Sequence, residues 1–157
     1  TAYFSEKFLE ITVPVTTKEQ IKEIKKTVTH IAKKHDEEPY KALATTQQAI
    51  FHQLEEQDEI DAAAIFDKVF EEKPLAREAA QLAITEERVP EKIAVTNVPK
   101  YERKYSKQKF KLDNGIEITI PSEIYENKEM VEFINNPDGS VSVLIKNIES
   151  ILNKFNA

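Results

Sequence analysis

The stretch from Lys100 to Lys111 carries cationic and aromatic side chains in a pattern that suits contact with nucleic acid. Lysine and arginine neutralise phosphates and release condensed counterions, and tyrosine rings can stack on unpaired bases. In an extended conformation, alternate residues of this stretch fall on one side. These residues are Tyr101, Arg103, Tyr105, Lys107, Lys109 and Lys111, and Lys104 adds a further cation. The same lysines are equally typical of an exposed edge strand protected against pairing, and spacing alone favours that structural interpretation.

Two acidic residues around a turn, Asp113 and Glu117, offer a second chemistry, that of a metal-dependent nuclease. Such sites usually place a lysine two residues after the second acid, where this chain has Thr119. Glu117 also fits as the outward residue of an alternating strand. His35 precedes the acidic residues 36–38, and a helix end followed by a charged loop explains this cluster as well as a cation site does. We therefore predict no metal site.

Other reaction chemistry is poorly supported by the composition. The chain has no cysteine, which excludes disulfides and thiolate-bound metals. Its two glycines, Gly115 and Gly139, cannot form a phosphate-cradling loop, and no serine has a nucleophile-elbow context. We predict that the protein is not an enzyme and uses no cofactor.

Charge is distributed unevenly along the chain. The formal net charge of −6 argues mildly against non-specific binding to DNA or to an anionic membrane. Acidic residues dominate from Glu55 to Glu91, whereas the stretch 100–111 is strongly basic. An acidic helical middle is thus followed by a short basic segment.

The first part of the chain predicts four helices. Thr17 and Gln20 form a capping-box pattern ahead of Ile21, Ile24, Val28 and Ile31, which recur at helical spacing. Pro39 and Pro74 suit the first position of the second and fourth helices, and Asp58 is the expected N-cap of the third. The short helices two to four also fit a helix-turn-helix, with the fourth as recognition helix. A small bundle with an acidic surface is favoured, because Glu78, Glu86 and Glu87 would repel phosphates.

The last part of the chain predicts two antiparallel hairpins. Asn114-Gly115 and Asp138-Gly139 supply the positive φ angles of tight turns between alternating apolar runs. A short helical turn is expected over residues 121–127. Four apolar residues at helical spacing then predict a C-terminal helix that covers the sheet, namely Ile148, Ile151, Leu152 and Phe155.

The expected architecture is therefore α+β, with a four-helix subdomain at 1–92 and a β-rich subdomain at 93–157. The apolar segment from Tyr3 to Val13 is expected to be a strand or a packed leading segment. No run is long and apolar enough for a membrane span, and we expect no membrane partner. The chain starts at Thr1 and has a single methionine, Met130, so we expect a fragment of a longer protein.

Both hairpin sequences resemble those of a known family. The runs from Phe110 to Pro121 and from Val131 to Ile148 resemble the C-terminal end of the bacterial nucleoid-associated proteins of the NdpA-like group. The opening Tyr3–Leu9 is similar to the start of that family's second half. This resemblance implies a cytoplasmic protein at the nucleoid that binds DNA without enzymatic activity, and it identifies this chain as the C-terminal half.

The sequence thus leads to two functional hypotheses. The first is nucleoid association with DNA as partner, either through the stretch 101–111 or mainly through a preceding half. The second is a protein-interaction or homodimerisation module, in which the acidic helices and the apolar segment from Ile148 to Phe155 serve a partner chain.

Overall fold

The computed structural model describes residues 16–155, and these form two compact units that separate between Glu102 and Arg103. The predicted segment from Tyr3 to Val13 lies outside the described residues. The described elements are mainly helical in the first unit and mainly antiparallel hairpins in the second, which confirms the predicted α+β class. No helix in residues 16–155 has the length and apolar character needed to cross a membrane.

Helix α1 (Thr17–Lys34) buries the predicted apolar stripe, including Ile24 and Val28, which are both inaccessible to solvent. Its N-cap is Thr16, one residue before the predicted one, and the Thr16 hydroxyl accepts a hydrogen bond from the Glu19 amide at 3.1 Å. Thr16 and Glu19 have the same capping spacing as the predicted pair. The prediction therefore identified the helix and misplaced its start by one residue.

Helices α2 (Pro39–Glu56) and α4 (Pro74–Thr85) both begin at the predicted prolines. The N-cap of helix α3 (Ala62–Val69) is Asp61, three residues after the predicted one, and Asp61 Oδ1 accepts from the Ala64 amide at 3.1 Å. Residues after Asp58 instead form a short strand, β1 (Glu59–Asp61). The Asp58 cap prediction is therefore wrong, because the strand occupies the expected first turn.

Strand β1 pairs antiparallel with β2 (Lys92–Ala94). Ile60 and Ile93 face each other in this pairing and are at most 1% exposed. Together with Phe66 and Ile50, both fully buried, they contribute to the core of the first unit. Strand β2 spans the boundary predicted at 92/93, whereas the structure separates its units after Glu102. The assignment of 1–92 and 93–157 as domains stays a prediction.

The second unit is built on two antiparallel hairpins. Helix α5 (Val98–Tyr105) leads into the first hairpin, β3 (Lys107–Lys111) and β4 (Glu117–Pro121), and the short helix α6 (Ser122–Tyr125) follows. The second hairpin pairs β5 (Val131–Asn135) with β6 (Val141–Ile145). Both predicted glycine turns are present, since Gly115 has φ +92° and Gly139 has φ +89°.

An aromatic cluster joins the two hairpins to α6. Phe110 on β3 lies 5.7 Å from Tyr125 on α6 and 5.1 Å from Phe133 on β5, measured between ring centroids. Tyr125 and Phe133 make an edge contact at 5.8 Å. Because a two-stranded hairpin alone is marginally stable, the apolar contacts of these three rings help to stabilise both hairpins.

The predicted C-terminal helix is absent from the described residues. Residues 146–155 have no regular secondary structure, and the side chains of Ile151, Leu152 and Phe155 are 80–85% exposed. A short amphipathic helix gains most of its stability from burying its apolar face. That face has no partner surface here, which explains why apolar spacing alone gave a wrong prediction.

Candidate nucleic-acid interface

The first half of the basic stretch is helical. Residues Val98–Tyr105 form α5, so the extended conformation considered for Tyr101 to Lys111 is absent from its first half. The Asn97 side chain accepts from the Lys100 amide at 3.3 Å, and Pro99 lies in the first turn. Asparagine before a proline-containing segment is a helix-start signal. That signal in the sequence could have corrected the expectation.

The two predicted tyrosines lie in different environments. Tyr101 belongs to the first unit and is partly exposed, with the Lys100 ammonium 5.7 Å from its ring centroid. Tyr105 is only 2% exposed, and the Lys104 ammonium approaches its ring at 6.0 Å. A ring so deeply buried cannot stack on a base in this conformation. Tyr105 therefore acts as a packing residue beneath the cations.

A tight turn fixes the end of α5 relative to β3. The Ser106 hydroxyl donates to the Arg103 carbonyl at 2.6 Å. The Ser122 amide donates to the Ser106 carbonyl at 2.8 Å, and the buried Ser122 hydroxyl donates to the Tyr105 carbonyl at 2.7 Å. These bonds anchor the turn to the start of α6, so the exposed Arg103 and Lys104 keep a defined position next to β3.

The second half of the basic stretch has the predicted alternation. Lys107, Lys109 and Lys111 are exposed along β3, whereas Gln108 is buried and Phe110 is partly buried among the aromatic rings. Alternate residues of an antiparallel strand are roughly 7 Å apart. The strand therefore presents a straight row of three ammonium groups on one face.

The cations of this row are not neutralised by nearby carboxylates. In residues 16–155, none of Lys107, Lys109 and Lys111 forms an ion pair, and neither do Arg103 and Lys104. By contrast, Lys146 on β6 pairs with Glu132 at 3.1 Å. The β3 lysines are therefore available to an external anion.

Across the paired strand β4, a carboxylate faces one of the three lysines. Glu117 is the cross-strand partner of Lys111, while Lys109 faces Thr119 and Lys107 faces Pro121. Asp113 and Glu117 are both exposed and flank the hairpin turn. Among the described residues, no group of three or more acidic or histidine side chains is arranged to hold a metal ion. The site thus presents cations rather than metal ligands.

A second group of cations lies on α1. Six basic residues of α1 lie outside its buried stripe, and none of them was considered a binding residue; they are Lys18, Lys22, Lys25, Lys26, Lys33 and Lys34. Intervals of three, four and seven residues place most of them on one helical face. Periodicity applied to charge, as well as to apolar residues, would have found them.

Comparison with known proteins identifies the family. A sequence profile described as nucleoid-associated protein YejK matches residues 1–153, whereas no curated protein and no solved structure matches the chain. The match confirms the resemblance drawn from the two hairpins. That the chain corresponds to the C-terminal half stays a prediction. The chain therefore belongs to the family of the nucleoid-associated protein YejK.

Proposed function

We propose that this chain binds DNA as a non-enzymatic component of the nucleoid, in the cytoplasm. Membership of the nucleoid-associated family supports an association with the nucleoid. The proposed interface is the exposed cationic surface of the second unit, formed by Arg103, Lys104, Lys107, Lys109 and Lys111. Tyr105 is not included because it is buried. Tyr101 is partly exposed but does not belong to this surface, and its contact with DNA stays a prediction.

The row of lysines on β3 is the observation that carries the proposal. Three exposed ammonium groups without ion pairs attract phosphates, because each contact releases a condensed counterion. Their spacing of roughly 7 Å corresponds to about two phosphate steps along the axis of one strand. Contacts of this type position a protein on DNA without reading its sequence. We therefore expect binding with little sequence preference.

The experiment that tests this proposal removes the three lysines of β3 and keeps the fold. Because the three side chains are exposed, Lys107→Gln, Lys109→Gln and Lys111→Gln in one variant should leave stability nearly unchanged. Each lost phosphate contact weakens binding about tenfold at 0.1 M salt, so the triple variant should bind duplex DNA on the order of a hundredfold to a thousandfold more weakly.

A control in the same unit carries an equal change of charge. Lys128→Gln, Lys146→Gln and Lys154→Gln remove three lysines from outside the proposed surface. Fluorescence anisotropy with a labelled random-sequence duplex should show near-native affinity for this control. Equal affinities of the two triple variants would contradict the proposed interface.

A second candidate function is self-association. Apolar side chains are exposed on β6 and beyond it, including Ile145 at 51%, Leu152 at 81% and Phe155 at 80%. A surface of this kind is typical of protein interfaces. Light scattering at high concentration should then show a dimer that Leu152→Ser with Phe155→Ser dissociates, while Leu75→Ser on α4, also exposed, has no effect. A strictly monomeric native chain would remove this candidate.

A further inference from the structure

Helix α1 presents a line of cations opposite its buried stripe. Lys22, Lys26 and Lys33 are exposed and follow one another at intervals of four and seven residues. Residues at this spacing lie on one helical face, and the line spans about 16 Å along the axis. Ile24 and Val28, on the opposite face, are fully buried. The line is thus the solvent side of a helix that is firmly packed into the first unit.

An open groove of about 980 Å³ lies along α1 and borders α4. Lys26, Lys33 and Lys34 contribute to its wall from α1, and Arg88 contributes from the segment after α4. Glu23 is the single carboxylate in the lining, which otherwise carries an excess of positive charge. A concave surface with one sign of charge focuses the electric field and attracts ions of the opposite sign.

Four of the α1 lysines are not neutralised by a carboxylate within the described chain. Lys22, Lys26, Lys33 and Lys34 form no ion pair in residues 16–155, although Glu19 and Glu23 lie on the same helix. The helix dipole favours lysine in the last turn, which gives Lys33 and Lys34 a structural role. It does not favour Lys22 or Lys26, which lie further from the C-terminus. The position of Lys22 and Lys26 in one line with Lys33 therefore needs a different explanation.

We propose that this face of α1 is a second phosphate-binding surface, which contacts the backbone of duplex DNA independently of β3. The proposal rests on the proposed function, because it takes DNA as the polyanion. Along the helix axis, Lys22 and Lys26 lie about 6 Å apart, and Lys26 and Lys33 lie about 10 Å apart. These spacings are compatible with contacts to every second or third phosphate of one strand. The chain is acidic overall, so two local cationic surfaces offset the long-range repulsion of DNA better than one does.

The test compares two variants of the full chain with equal changes of charge. The first carries Lys22→Gln, Lys26→Gln, Lys33→Gln and Lys34→Gln. The control carries Lys68→Gln, Lys92→Gln, Lys128→Gln and Lys154→Gln, in which Lys68 and Lys92 pair with Glu71 and Glu59. The logarithm of the binding constant for a random-sequence duplex is measured against the logarithm of salt concentration. Removing four phosphate contacts should reduce the steepness of that plot by about 3 to 4.

A conservative variant separates charge from structure. Replacing the same four residues by arginine keeps the cations and should restore the native steepness, with circular dichroism verifying that both α1 variants are folded. If the glutamine variant keeps the steepness of the control, the inference is overturned, whether or not the β3 variant loses affinity. If the β3 variant loses affinity and the α1 variant does not, the proposed function stands and the inference about α1 fails. If the native chain binds no DNA at low salt, the proposed function and the inference are both contradicted.

Discussion

The aromatic cluster of Phe110, Tyr125 and Phe133 should contribute measurably to the stability of the second unit. Replacing Phe133 by alanine removes its ring contacts at 5.1 Å to Phe110 and 5.8 Å to Tyr125. Each aromatic pair contributes about 0.5–1.5 kcal/mol beyond burial, and removing a partly buried phenyl ring loses about 1–2 kcal/mol of transfer free energy. We therefore expect Phe133→Ala to lower the free energy of unfolding of the second unit by about 3 kcal/mol.

The same substitution at Phe155 provides a matched control. Phe155 belongs to the same unit but is 80% exposed, so Phe155→Ala should change the free energy by less than about 0.5 kcal/mol. Urea titrations followed through the backbone amide signals of β3 to β6 report on the second unit alone. Two outcomes would refute the structural role of the cluster: an equal loss of unfolding free energy in the two variants, or a loss below about 1 kcal/mol for Phe133→Ala.

Three further predictions concern caps, turns and titration. Asp61→Ala should cost about 1 kcal/mol in urea denaturation because it removes the α3 cap, whereas Asp58→Ala should have little effect. Gly139→Ala should lower the free energy of unfolding by about 1–2 kcal/mol, because the φ angle of +89° strains any residue with a Cβ, although that Cβ would meet no atom within 4 Å. An unchanged urea midpoint would contradict this. Hydrogen bonds from the Ser140 hydroxyl and amide lower the pKa of Asp138, so its stabilising contribution is present above the ordinary carboxyl pKa and fades as the pH falls. In Ser140→Ala, a carbon-13 titration should show the Asp138 pKa rising.

Local signals in the sequence predicted most of the regular elements. Pro39 and Pro74 marked helix starts because proline suits the first turn and lacks the amide hydrogen that would be unpaired there. Gly115 and Gly139 marked the two hairpins because both turns require a positive φ angle. These features depend on a few neighbouring residues, which is why the sequence alone sufficed.

The errors arose where distant residues decide the structure. Strands β1 and β2 have three residues each, and Ile60 and Ile93 are buried together although they are far apart in the chain. The C-terminal helix was predicted from Ile148 to Phe155, but no described surface covers its apolar face. Apolar spacing does not tell whether a partner surface exists, so tertiary structure overrides the local pattern in both cases.

The candidate interface was predicted only in part. Strand alternation correctly placed Lys107, Lys109 and Lys111 on one exposed face. The helical conformation of α5 removed Tyr105 from the surface, because a helix turns successive residues by a different angle than a strand does. The lysines of α1 were assigned no binding role, because the apolar stripe and the helix dipole already explained that helix.

The salt dependence of DNA binding by the native chain tests the central claim most directly. The five cations of the proposed interface should give a plot of log binding constant against log salt concentration with a slope of about −4.5. If the α1 surface binds as well, the slope should approach about −8. A flat plot, or no detectable binding to duplex DNA at low salt, would contradict the account.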